Sequence, residues 1–137
     1  MLIGSWLFEM YRTKLTVDIR WARSRAAFRT ARSRMNRARV FFKKGSDKEF
    51  YSEISDAIMG FIADKMNISA VGLTIRETVE KLSLRNVDEA IVKKIRTVLE
   101  QCDFGRFTSL GISAEEKRKL RKEAEEIISK LNKVFKK

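Results

Sequence analysis

The sequence has no proline and no histidine, and only one cysteine and six glycines among 137 residues. Each scarcity excludes something. With no proline and few glycines, long stretches carry nothing that must stop a helix, which favours a few long helices over many short strands. One cysteine, Cys102, cannot form a disulfide within the chain. Without histidine or a second cysteine there is no ligand set for zinc, and nucleophile–base pairs built on histidine are excluded. Cys102 falls on the apolar side of its helical pattern and reads as a small core filler. There is no Gly-rich phosphate loop or Walker-type sequence. The many carboxylates sit at helix starts or in i, i+4 surface pairs, where a solvated face is the ordinary outcome. The chain therefore reads as a non-enzymatic binding or coupling module, with no cofactor, metal or small-molecule substrate.

Charge is present and unevenly placed. Residues 1–45 hold 12 Lys/Arg against Glu9 and Asp18 alone, a net of +10 out of the chain's +12. Residues 46–137 hold 18 basic and 16 acidic side chains and are nearly neutral. That division suggests two parts: a basic arm over 1–45 and a body over 46–137. A basic arm on a neutral body expects an anionic partner, lipid or nucleic acid.

Hydrophobic spacing predicts an all-α fold: a long basic N-terminal helix leading into a compact four-helix body. Five helices are expected, at 12–44, 47–66, 75–83, 88–103 and 114–135. In the arm, Trp21, Phe28, Met35 and Phe42 recur every seven residues, and Ser24, Ala31 and Ala38 follow the first three at a distance of three. This is a heptad-like stripe, for the chain's own body or for a partner helix. Gly45 should end the arm helix. Ser46-Asp47-Lys48-Glu49, Thr74-Ile75-Arg76-Glu77 and Ser113-Ala114-Glu115-Glu116 read as capping boxes, and Asp88 as a further N-cap. Phe61, Ile95, Leu99 and Ile128 are expected in the core. Asp103-Phe104-Gly105-Arg106-Phe107 is expected to close the fourth helix as a turn, with Asp103 and Arg106 paired and both phenylalanines anchored in the core. Asp103, Arg106 and Phe107 would then form a docking corner.

Two classes of partner fit the arm. A helix-turn-helix over residues 73–99 would present Glu89, Lys93, Lys94, Arg96 and Glu100, a mixed face for reading bases. The near-neutral body offers little phosphate footprint, so nucleic-acid binding is the alternative reading. The membrane reading explains the order of residues better. Trp6, Phe8 and Tyr11 come first, and basic residues follow at once, as at the inner boundary of a membrane. The opening apolar run is too short to span a bilayer, which needs about 20 residues. It has no basic leader or small-residue cleavage site and does not read as a signal peptide. It is read as the inner end of a transmembrane helix, or else as an amphipathic start docking on the body. The lipid-facing basic series is Arg12, Lys14, Arg20, Arg23, Arg25, Arg29, Arg32 and Arg39.

The body carries a resemblance. Tyr51, Ala57 and Phe61-Ile62-Ala63-Asp64 are followed by Gly72-Leu73-Thr74 with Glu77 and Leu82. Then come Val87-Asp88-Glu89, Leu99-Glu100-Gln101-Cys102-Asp103 and the Asp103–Phe107 stretch. In these features residues 50–135 resemble the C-terminal cytoplasmic domain of BatD-type oxygen-tolerance (Bacteroides aerotolerance) membrane proteins. The resemblance implies a single membrane span ahead of a cytoplasmic tail, placed at the inner face of the bacterial inner membrane. It also implies MoxR-type AAA+ ATPases or von Willebrand A-domain proteins as partners, and a scaffold or coupling role. The extracytoplasmic β-sandwich domains of that family have no counterpart in these 137 residues.

Overall fold

A computed structural model of the chain describes residues 2–108 and 112–135, with side chains from residue 22 onward. The described residues form α1 (Leu2–Lys44), α2 (Asp47–Met66), α3 (Ile75–Leu84), α4 (Glu89–Phe107) and α5 (Ala114–Val134), with no strand among them. The fold is all-helical.

α1 and α2 form an antiparallel hairpin whose turn follows from its residues. Gly45 takes φ +76°, a left-handed conformation that costs a glycine nothing. Its N–H donates to the Phe42 carbonyl and the Ser46 N–H to the Phe41 carbonyl, at 3.2 and 2.9 Å. This pair of hydrogen bonds is the Schellman ending, and it turns the chain back within two residues. It also corrects the expectation at Ser46. Ser46 precedes α2 at φ −87°, ψ 81°, and its side chain makes no capping hydrogen bond. The residue is already held by the end of α1, away from the extended backbone that an N-cap side chain needs. The other starts are capped by their side chains. Thr74 Oγ1 accepts from Glu77 N at 3.1 Å, Asp88 Oδ1 from Ala90 N at 3.0 Å, and Ser113 Oγ from Glu116 N at 3.1 Å.

α2 is the central element and packs against α1, α4 and α5, while α3 packs on α4. Its buried residues, among them Phe50, Ile54, Ala57, Ile58, Phe61 and Ile62, cover more than one face, as a helix surrounded by neighbours requires. Toward α1 the contact is made by small residues. Ala27, Ala31 and Ala38 are buried with Met35, and Ala57 is buried on α2. Phe28 and Phe42 lie half-buried against the same core. One continuous core thus joins residues 27–42 of α1 to α2, α4 and α5. Phe61, Ile95, Leu99 and Ile128 all lie in it.

α4 runs to Phe107, beyond the turn expected at residue 103. Gly105 is helical and buried, and the Tyr51 ring lies flat against it. Packing there outweighs glycine's weak helix propensity. The longer helix moves the two phenylalanines. Phe104 and Phe107 fall on the side of α4 away from Ile95, Leu99 and Cys102, and are 60% and 80% exposed. They do not anchor the chain in the core.

Two glycine-to-alanine changes should therefore have opposite signs. A Cβ on Gly105 would lie 2.5 Å from Tyr51 ring carbons. Gly105→Ala should cost about 1–3 kcal/mol through overpacking. On Gly60, in the middle of α2, a Cβ would meet nothing nearer than Arg34 Nε at 4.0 Å. Gly60→Ala should gain roughly 0.5–1 kcal/mol from helix propensity. Urea unfolding of the two variants beside the parent checks both signs.

Candidate functional site

The basic series divides by position on α1. Arg12, Lys14, Arg20 and the stripe's Trp21 lie outside the described side chains. Of the rest, Arg23 and Arg39 engage carboxylates of neighbouring helices. Arg23 meets Asp64 of α2 at 2.8 Å and Arg39 meets Glu125 of α5 at 2.9 Å. Arg25, Arg29 and Arg32 are exposed. Arg25 and Arg29 lie on the side of α1 away from the buried Ala27, Ala31 and Ala38, while Arg32 flanks the packing face and borders a pocket with Phe28, Met35 and Glu125. Arg32 also stands over the Phe28 ring, 5.8 Å from its centre. The stripe residues Phe28, Met35 and Phe42 face the body, Met35 fully buried. Phe42 packs on Phe50 with ring centres 5.7 Å apart.

Two further arginines, outside the series expected from the sequence, complete the α1–α2 seam. Arg34 reaches Asp56 at 3.8 Å and Arg37 reaches Glu53 at 3.9 Å. Together with Arg23–Asp64 these are rungs of an antiparallel ladder. Pairs so exposed contribute about 0–1 kcal/mol each, so they fix register more than stability. The signal was in the sequence: Glu53, Asp56 and Asp64 lie on α2 at spacings that share a helix side.

At the far end of α4, Asp103 and Arg106 pair at i, i+3 within the helix rather than across a turn. The Arg106 guanidinium stands 5.1 Å from the Phe107 ring centre. Asp103 and Arg106 border a cleft of about 750 Å³, with Arg34 and Asp56 on its opposite side. Phe107 is outside the cleft, in solvent. The three corner residues are thus neighbours on one helix end, with the aromatic ring presented outward.

Two buried titratable groups sit near this end. Burial pushes the Cys102 thiol up to about 12, with Asp103 adding to the rise and Arg106 opposing it. Burial likewise raises the Tyr51 hydroxyl to about 12, assisted by the charges of Asp47, Cys102 and Glu116. Among the described residues there is no group of three or more His, Cys, Asp or Glu side chains able to hold a metal. No helix among them is long and apolar enough to cross a membrane.

Both raised values have one consequence for stability. Above the ordinary values, 9.0 for the thiol and 10.0 for the phenol, the unfolded chain releases protons that the folded chain retains. Ionisation therefore favours unfolding, and stability falls as pH rises from 9 toward 12. A single fully retained proton gives a slope of up to about 1.4 kcal/mol per pH unit. Urea midpoints measured between pH 8 and 11 should decline from pH 9, and Cys102→Ala should delay the onset toward pH 10. A flat profile through pH 11 would contradict the burial of both groups.

No protein-family model, curated protein or solved structure matches this chain.

Proposed function

We propose that the chain is a non-enzymatic coupling module. In this reading residues 1–45 act as a long basic arm, built into the core from Ala27 onward, whose exposed side meets an anionic membrane surface, and residues 46–137 bind a partner protein. One observation carries it: Arg25 and Arg29 are exposed on the side of α1 away from its packing face, and Arg32 is exposed at the flank of that face. A helix packed along one side and charged along the other can lie on a surface without disturbing its own fold. The charge division supports the same reading, because the excess of +10 lies in residues 1–45. Anionic lipid attracts such segments with about 1 kcal/mol per Lys/Arg near the surface.

The cellular setting and the partners rest on the BatD-type resemblance of residues 50–135. In that reading the module sits on the cytoplasmic side of the bacterial inner membrane, tethered by a transmembrane helix ahead of it. A MoxR-type AAA+ ATPase or a von Willebrand A-domain protein engages the corner of Asp103, Arg106 and Phe107. The exposed Phe107, stacked beneath Arg106, gives that corner an aromatic contact point of the kind that protein interfaces favour.

Vesicle flotation tests the lipid half. The chain should float with vesicles rich in phosphatidylglycerol and stay behind with neutral phosphatidylcholine. Binding should fall steeply toward physiological salt, where screening shortens to about 8 Å. Replacing Arg25, Arg29 and Arg32 by Gln should weaken it roughly 100-fold, from about 1 kcal/mol for each charge. Equal partitioning into both vesicle types would overturn the reading. Tight binding to duplex DNA without vesicle preference would move it to the nucleic-acid alternative.

A further inference from the structure

The body has a second charged region, and its sign is opposite. A groove of about 580 Å³ runs between α4 and α5, and among the described residues none of α1 borders it. One wall is a row of α4, Thr97, Gln101 and Phe104; the other is a row of α5, Glu116, Leu120 and Glu123. Glu100, Glu116 and Glu123 place three carboxylates on its rim against the single ammonium of Lys119. None of the three takes part in the ion pairs that tie the helices together. Its apolar surface is Leu120, Ile112 and the 60% exposed Phe104.

An independent feature points into the same groove. Tyr51 lines it, yet the residue is only 2% exposed, and its hydroxyl has no hydrogen-bond partner among the described groups. A buried hydroxyl left unpaired costs about 1–3 kcal/mol. The ring cannot turn freely to find a partner, because Gly105 fits flat against it. The hydroxyl therefore stands ready for a donor brought from outside, near the carboxylate of Glu116 and that of Asp47, the latter already paired with Lys117 at 2.6 Å.

We propose that this groove binds a cationic segment of a partner polypeptide, a Lys or Arg next to an apolar residue. The cation lies between Glu116 and the Tyr51 hydroxyl, with Glu100 and Glu123 at the rim, and the apolar neighbour covers Phe104, Ile112 and Leu120. The exposed apolar surface distinguishes a peptide from a simple polyamine, which would satisfy the carboxylates and leave Phe104 in water. The inference rests on the partner half of the function proposed above and is independent of its lipid half. Flotation can fail while this site stands, and the reverse.

The test is a nuclear magnetic resonance titration of the full chain with two synthetic 12-residue probes, one alternating Lys and Leu, the other Glu and Leu. The Lys/Leu probe should shift amides of Thr97, Gln101, Phe104 and Leu120, and the Glu/Leu probe should leave them in place. Glu100→Gln, Glu116→Gln and Glu123→Gln together should weaken the Lys/Leu probe about tenfold, since exposed charges act weakly one by one. Tyr51→Phe should weaken it further while the thermal melt stays at or above the parent value, since the unpaired hydroxyl is removed. Parent-like affinity in the triple variant or in Tyr51→Phe would overturn the proposal. So would equal shifts with both probes, or full competition by spermidine. Concentration-dependent dimerisation that shifts the same amides would overturn the assignment to a separate partner in favour of a second copy of this chain.

Discussion

The close antiparallel contact of α1 with α2 determines where nearly everything else in the molecule can go. It depends on small side chains, Ala27, Ala31 and Ala38 on α1 with Ala57 on α2. It depends equally on Gly45, whose left-handed turn reverses the chain within two residues. Large residues then fill the flanks of the seam, Met35 within the core and Phe42 against Phe50. With α1 on one side, α2 presents its remaining apolar faces to α4 and α5. The fold is a set of layers built outward from α2.

The same seam sorts the charge. Arginines beside the contact, Arg23, Arg34 and Arg37, meet acids of α2, and Arg39 meets α5. Arg25 and Arg29, on the side away from the seam, and Arg32, at its flank, have exposed side chains. A chain of net charge +12 thus carries a basic outer face on α1 and, between α4 and α5, a groove in which carboxylates outnumber ammonium groups. Two surfaces of opposite sign on one rigid core suit a module that holds a surface with one side and a partner with the other.

The helices were legible because their signals are local. Thr74, Asp88 and Ser113 cap helices where the sequence places them, and the apolar spacing marks the buried faces of α2, α4 and α5. Two local signals misled, for physical reasons. Ser46 has a good capping sequence, but the preceding Schellman turn already fixes its backbone. Gly105 looks like a helix stop, yet the Tyr51 ring, more than fifty residues earlier in the chain, fills the space beside it and lets α4 continue. That contact is tertiary, and it carried Phe104 and Phe107 from the expected core into solvent. The partition of the arginines was half legible: the stripe of Phe28, Met35 and Phe42 indicates the packing side, but which arginines meet acids depends on the register of α1 against α2. The α4–α5 groove was not legible, since its walls come from separate stretches and its floor from a third.

From Ala27 onward α1 is a wall of the body and not a lever hinged to it. Native-state hydrogen exchange followed residue by residue tests this directly, because regions that open together exchange together. The amides of Ala31, Met35 and Ala38 should exchange only as fast as those of Ile58 and Phe61 in α2, with the same dependence on urea. Exchange of the three α1 amides by a separate, lower-energy opening, with α2, α4 and α5 still protected, would contradict it.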